Sequence, residues 1–268
     1  MIDLFPDIKF DVLTDISILC EDSPDKNSIG WMVESPEIIN QAALYLDFLS
    51  PWEGDAMTLL KKRLKSGNHN FKRLYTYDKS FEGLPNVVVI PYCPAPTWIE
   101  PENIKLHDKN KLCSVIVSNK KMTPFQVKRV RFSEELFWEK NVDCFGTAYS
   151  SGRIEKKSSA LKDYCFSYCV ENVVSPYYFT EKIVDCFLTG TVPIYAGDPM
   201  IGEIFDKRGI IDAYRDDKFC VVSDLSFDLY ESMMPYIKKN FEIAKAIKNR
   251  PQDIFQQIFD NEMELSDD

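Results

Sequence analysis

The sequence predicts an α/β protein organised as two domains. Three observations carry that reading. Short apolar, strand-like runs alternate with helical patterns at the spacing of right-handed βαβ units, which implies parallel sheets. A proline-rich stretch (Pro91, Pro94, Pro96, Pro101) interrupts the alternation and reads as an interdomain linker. The length, 268 residues, is about two domains at roughly 150 residues each. We divide the chain into residues 1–105, residues 106–250, and a C-terminal helix with an acidic tail at 251–268.

The elements follow in order. Apolar runs at Asp11–Leu13, Ile16–Cys20, Trp31–Val33 and Val87–Ile90 read as strands of the first domain. Pro36 suits a first helical position, and Ile38, Ile39, Ala42, Ala43, Leu46 and Leu49 recur with the 3.6-residue period. A second helix spans Asp55–Lys65, with Gly67 as its stop. Beyond the prolines, Leu112–Ser118 is a strand and Thr123-Pro124 opens a helix to about Lys140. Val142–Phe145 is a strand closing on Gly146, and Tyr164–Val170 is another. Thr180–Leu188 is a helix, and Val192–Tyr195 is a strand ending near Gly197. Phe219–Val222 is expected as a last short strand, followed by helices at Leu229–Asn249 and Asp253–Phe259.

Composition removes several chemistries. Apolar residues make up 45% and charged residues 28%, the balance of an ordinary globular protein able to bury a core without metal or disulfides. The net charge of −10 argues against nonspecific binding to nucleic acid or to an anionic membrane. Two histidines, His69 and His107, cannot build a multi-histidine metal site. Neither G-x-G-x-x-G nor a Walker A loop occurs, and there is no D-x-D triplet. No apolar run is long enough to span a bilayer, and with no basic n-region followed by an apolar stretch at the start, no signal peptide is expected. The eight cysteines are scattered and read as buried free thiols of a reducing compartment. Cys165 and Cys169, four apart, would need two further ligands to hold a metal. The expected location is cytoplasmic, with an anchor upstream of this segment left open.

Chemistry concentrates between Asp163 and Pro199. In open α/β sheets, ligands sit beyond the carboxyl ends of the strands, where Glu171 and Asn172 fall. Thr180 is a good helix N-cap, and the unpaired N–H groups behind it suit a phosphate. Lys182 opposes the helix dipole at that end, and a residue that breaks a local rule is a candidate for function. The plain alternative is a solvated surface lysine.

Read together, Glu171-Asn172, Tyr178 six residues on, Thr180-Glu181-Lys182 and Pro193-Ile-Tyr-Ala-Gly197-Asp-Pro199 form a spaced signature. It resembles the donor-binding signature of the family-10 glycosyltransferases, the α-1,3/4-fucosyltransferases. Val170 stands where that pattern has phenylalanine, and Val173 where a small residue is usual. Arg129, with Phe132 and Leu136 behind it, resembles the family's arginine-bearing helix, and Ser118-Asn119 its first strand end. Upstream, Glu34-Ser35-Pro36 and Tyr75-Thr76-Tyr77-Asp78 resemble an E-S-P and a T-Y segment. The resemblance spans roughly residues 28–220.

The resemblance implies a GT-B-type enzyme, with two Rossmann-like domains facing a central cleft. The first domain would serve the acceptor and the second the nucleotide-sugar donor. It implies inverting, metal-independent transfer of L-fucose from GDP-fucose to a hydroxyl of a glycan acceptor, in an α-1,3-type linkage. GDP-fucose is then the donor substrate, and no cofactor is needed. Without a cation, side chains must neutralise the diphosphate, and Arg129 and Lys182 match that task. Glu181 suits ribose hydroxyls, while Asn172, Tyr178, Ser118 and Asn119 complete the expected donor site. Tyr178 could instead pack between strand and helix, and Asn172 could cap a turn. Glu34 matches the catalytic base, with Glu37 one turn along as fallback and helix capping as the plain alternative for Glu34. Two other readings remain: the same scaffold with another nucleotide sugar, and a noncatalytic nucleotide- or glycan-binding relic.

Overall fold

The computed structural model describes residues 12–14, 18–19, 28–45, 54–69, 71–90, 96–139, 142–150, 152–248 and 250–264. The chain forms two compact units, Met1–Pro94 with Arg250–Asp268, and Ala95–Asn249. The boundary after Pro94 falls in the proline-rich stretch, whose residues 91–95 lie outside the described set.

In the first unit, β1 (Val12–Thr14), β2 (Ile29–Trp31), β3 (Arg73–Thr76) and β4 (Val87–Val89) form a parallel sheet in that order. Of the Ile16–Cys20 run, Ile18 and Leu19 are described, and they form a helical turn rather than a strand. Helix α1 (Pro36–Tyr45) follows β2, and the Ser35 hydroxyl accepts from the Ile38 N–H at 3.3 Å. The expected Leu46 and Leu49 lie outside the described residues. Helix α2 (Ala56–Ser66) begins at Asp55, which accepts from Thr58 N–H at 2.9 Å, and stops at Gly67 with φ 70°. That left-handed position favours glycine.

The second unit carries β5 (Lys111–Ile116), α3 (Pro124–Phe137), β6 (Val142–Phe145), β7 (Tyr164–Val170), α4 (Glu181–Leu188), β8 (Val192–Ala196) and β9 (Ile211–Asp212). Its sheet is parallel throughout, in the order β6-β5-β7-β8-β9. Strand β7 is buried along its whole length, which explains why it reads as an apolar run without alternation. Because β6 and β7 flank β5, the strand order reverses between β5 and β7. Such a switch point opens a crevice at the carboxyl edge of the sheet.

The expected strand at Phe219–Val222 is instead half of an antiparallel hairpin, β10 (Tyr214–Arg215) with β11 (Lys218–Phe219). Asp216 and Asp217 close it with φ of 49° and 61°, conformations that Asp tolerates in two-residue turns. Phe219 stacks on Phe132 of α3, with ring centroids 4.8 Å apart. Helix α5 (Phe227–Ile247) starts at its Ser226 cap. Helix α6 (Arg250–Glu264) then packs with the first unit rather than standing apart as a terminal segment. Ile254 and Ile258 are buried beside Ile29, Trp31, Tyr75 and Ile90. Glu262 accepts from the Tyr75 hydroxyl at 2.9 Å and pairs with Arg73. Residues 265–268, with Asp267 and Asp268, lie outside the described set.

Both units are therefore built on parallel α/β sheets. Cys113, Cys165, Cys169 and Cys186 are buried free thiols, and Cys144 and Cys220 are half-buried free thiols. Among the described residues, no group of three or more His, Cys, Asp or Glu side chains could hold a metal ion, and no helix is long and apolar enough to cross a membrane.

Candidate functional site

The crevice between β5 and β7 gathers most of the residues that the sequence singles out. Ser118 lies two residues beyond β5, and Glu171 and Asn172 directly follow β7. Helix α3 starts at Thr123, whose hydroxyl accepts from Gln126 N–H at 3.1 Å. Phe125, Arg129, Phe132 and Leu136 are all buried on α3, spaced as one stripe of an amphipathic helix. Arg129 thus points inward, anchored by aromatic neighbours one turn to each side.

Its guanidinium donates to Asn172 Oδ1 at 3.1 Å, to the Glu171 carbonyl at 3.4 Å and to Ser118 Oγ at 3.3 Å. Arg129 is 5% exposed, and its Nε has no hydrogen-bond partner among the described residues. Burial lowers its pKa, against the opposing pull of Glu171 and Tyr178. A guanidinium keeps its charge under such a shift. The result is a buried cation hydrogen-bonded to neutral acceptors, with one donor to spare.

Lys182 arrives from the first turn of α4. Thr180 caps this helix, and the Lys182 ammonium reaches back to Glu171 Oε2 at 2.9 Å and Thr180 Oγ1 at 2.7 Å. Glu171 is fully buried and also accepts from Thr180 N–H at 2.9 Å and Thr180 O–H at 2.8 Å. Burial works against the Lys182 charge, but Glu171 and Glu181 outweigh it and hold the pKa above the ordinary value. This explains the cation at the wrong end of a helix: the carboxylate compensates for the dipole. Arg129 and Lys182, 53 residues apart in sequence, therefore meet on one residue, at its carbonyl and its carboxylate.

Glu181 lies beside them. Lys157 sits 3.6 Å from Glu181 Oε1 and 2.7 Å from Asp185 Oδ2. Burial tends to raise the Glu181 pKa, yet Lys182 and Lys157 together hold it below the usual carboxylate range. Tyr178 is 1% exposed and close enough to Arg129 to act on its charge. Asn119 is turned aside: its N–H donates to Thr147 Oγ1 at 3.1 Å, and its side chain accepts from the same hydroxyl.

Glu171, Lys157 and Asp198 complete the arrangement, and sequence reasoning gave none of them a task. Asp198 accepts at Oδ1 from Tyr177 and Met200 N–H, both at 2.8 Å, and so fixes Tyr177 at its positive φ of 64°. The signal for Glu171 was the misfit of Lys182, which demanded a nearby carboxylate.

Glu34 belongs to the first unit, between β2 and α1. At the start of α1 the Ser35 hydroxyl accepts from the Ile38 N–H. The Glu34 carbonyl accepts from the Tyr77 hydroxyl at 2.8 Å, which ties the E-S-P segment to the T-Y segment. One turn along, burial raises the pKa of Glu37.

Residues 106–226 match the model of the family described as "Glycosyltransferase family 10 (fucosyltransferase) C-term". The alpha-(1,3)-fucosyltransferase FucT of Helicobacter pylori is 28% identical over 89 residues, which are 33% of this chain and 19% of that protein. This chain thus matches about a fifth of the length of that relative. A crystal structure of an alpha1,3-fucosyltransferase with GDP aligns with 89% of this chain and 68% of its own, at 16% identity and a TM-score of 0.47. Another, with GDP-fucose, aligns with 55% of this chain and 39% of its own, at 23% identity and a TM-score of 0.34.

Proposed function

From a family-10 glycosyltransferase C-terminal domain at residues 106–226, we propose that this chain transfers L-fucose from GDP-fucose to a hydroxyl of a glycan acceptor, with inversion, without a metal ion and with an α-1,3-type linkage. The observation that carries the reading is Arg129: a buried guanidinium with neutral hydrogen-bond partners and a free Nε, sharing Glu171 with Lys182 at the strand-order switch. A buried cation of this kind is costly unless an anion completes it. A nucleoside diphosphate supplies that anion.

The residues divide the work. Arg129 and Lys182 neutralise charge that grows on the diphosphate as the C1–O bond breaks. Asn172 and Ser118 hold the Arg129 fork in place. Glu181, kept anionic by Lys182 and Lys157, accepts from ribose hydroxyls. Glu34 takes the proton from the acceptor hydroxyl as it attacks C1, and Glu37 is its nearest substitute.

A thermal-shift panel of GDP, UDP, ADP and CMP, each with EDTA or with Mn²⁺, tests the reading. GDP stabilises most, equally in both conditions. A larger shift with UDP reassigns the donor, dependence on Mn²⁺ overturns the metal-free mechanism, and no response to any of the four overturns the donor site. GDP binding without transfer from GDP-fucose marks a relic.

A further inference from the structure

We propose that Glu171 is a positioning residue of the donor site: its carboxylate fixes the Lys182 ammonium and the start of α4, while its carbonyl fixes Arg129. The inference rests on the donor-site reading and assigns it a residue that touches neither substrate.

Four contacts support it. Oε1 receives the Thr180 N–H at 2.9 Å, and Oε2 receives both the Thr180 hydroxyl at 2.8 Å and the Lys182 ammonium at 2.9 Å. The Glu171 N–H donates to Ala196 O at 2.8 Å, so the residue is also tied to the end of β8. Gly197 leaves it room, since a Cβ there would stand 2.6 Å from Glu171 Cγ and 2.3 Å from Tyr195 Oη. The buried carboxylate is therefore fully engaged and immobile, and Lys182 is aimed before any ligand arrives. A lysine left to itself at this position would pay rotamer entropy on binding and would shed its proton into the buried surroundings.

The charged groups around Lys182 are Glu171 at the end of β7, Glu181 on α4 and Lys157 ahead of β7, which acts against its charge. Asp198 and Tyr195 face Glu171 from the end of β8. In Glu171→Gln the first of the two carboxylates favouring the Lys182 charge is gone, while the carbonyl contact to Arg129 is untouched.

The Lys182 amine is followed by NMR in ligand-free protein labelled at lysine Cε, with Lys182→Arg for assignment. It titrates at lower pH in Glu171→Gln than in wild type. Calorimetry with GDP then shows wild-type affinity nearly level between pH 7.0 and 8.5 but a fall of about fivefold or more in Glu171→Gln, as expected for loss of charge on a half-buried lysine. In Glu171→Gln/Lys182→Met that fall disappears. An unshifted Lys182 titration overturns the inference, as does tighter GDP binding by Glu171→Gln at every pH, which would make the carboxylate a mere competitor. If Glu171→Gln does not fold, Glu171→Asp, one methylene shorter, draws the carboxylate back from the ammonium instead. The Lys182 amine then titrates at lower pH than in wild type, and an unchanged titration refutes the proposal. Wild-type protein that binds no GDP sinks the donor reading instead, and the Lys182 titration still decides the role of Glu171.

Discussion

Arg129 and Lys182 carry the same charge but are held differently, and substitution should separate them. Arg129 is supported by neutral oxygens, Lys182 by a carboxylate. Replacing either with Ala is expected to weaken GDP binding and lower kcat, each by about 10- to 100-fold, the scale of a lost charge-assisted hydrogen bond. The double variant should fall short of the product, because both act on one diphosphate. Arg129→Lys should recover only part, since an ammonium cannot reproduce the fork. Calorimetry and initial rates check all four. For Glu34→Gln the loss belongs to kcat alone, about 100- to 10,000-fold, with GDP affinity kept, because an amide keeps the shape and cannot take the proton. A rate within about threefold of wild type would move the base to Glu37. Arg129, Lys182 and their approximate meeting place were legible in the spacing of the sequence. The task of Glu171 was not, because it consists of contacts back from the cap and first turn of α4, nine to eleven residues on, which no linear period marks.

At the scale of elements, the end of β8 and the start of α4 behave as one piece through Glu171 and Asp198. Gly197→Ala forces a methyl against the Tyr195 ring and the Glu171 side chain. We expect it to destabilise the protein by about 1–3 kcal/mol, the range for overpacking a filled site, and to weaken GDP binding without touching a ligand contact. Denaturant midpoints and calorimetry give the two numbers. Unaltered GDP affinity in Gly197→Ala would detach the β8 end from the site. The elements that the sequence read well, β7, α3 and α4, have long apolar patterns or strong caps. The hairpin β10–β11 escaped because a two-residue strand has no period, and its Asp216-Asp217 turn lacks the glycine that usually marks such a loop. Its neighbour β9 is equally short. Strand β3 reads in the sequence as a motif rather than a strand, since four residues with an arginine at one end show little alternation.

At the scale of the molecule, the first unit is assembled from both ends of the chain. Ile258 is 1% exposed in a cluster with Trp31 and Tyr75. Ile258→Ala should therefore cost about 2–5 kcal/mol, as buried Ile truncations do, and should act on the first unit. Hydrogen exchange checks this: protection should drop in β2 and β3 and be retained in β5 and β7. Equal losses in both units would refute that address for α6. The sequence showed the amphipathic pattern of this helix, but not which sheet it covers. That information lies in the contact between Tyr75 and Glu262, 187 residues apart.

This return of α6 sets an order of events during synthesis. The early strands leave the ribosome without the helix that covers Trp31 and Tyr75, and residues 95–249 must be made before it arrives. At about 5–20 residues per second the wait is on the order of ten to thirty seconds. The second unit, continuous in sequence, can close its own sheet in that interval. The four strands of the first unit can also pair by then, but without α6 the apolar face around Trp31 and Tyr75 stays exposed to other nascent chains. A chaperone that binds extended apolar segments would find its target here in residues 29–90, and release would wait on the last fifteen or so residues of the described chain.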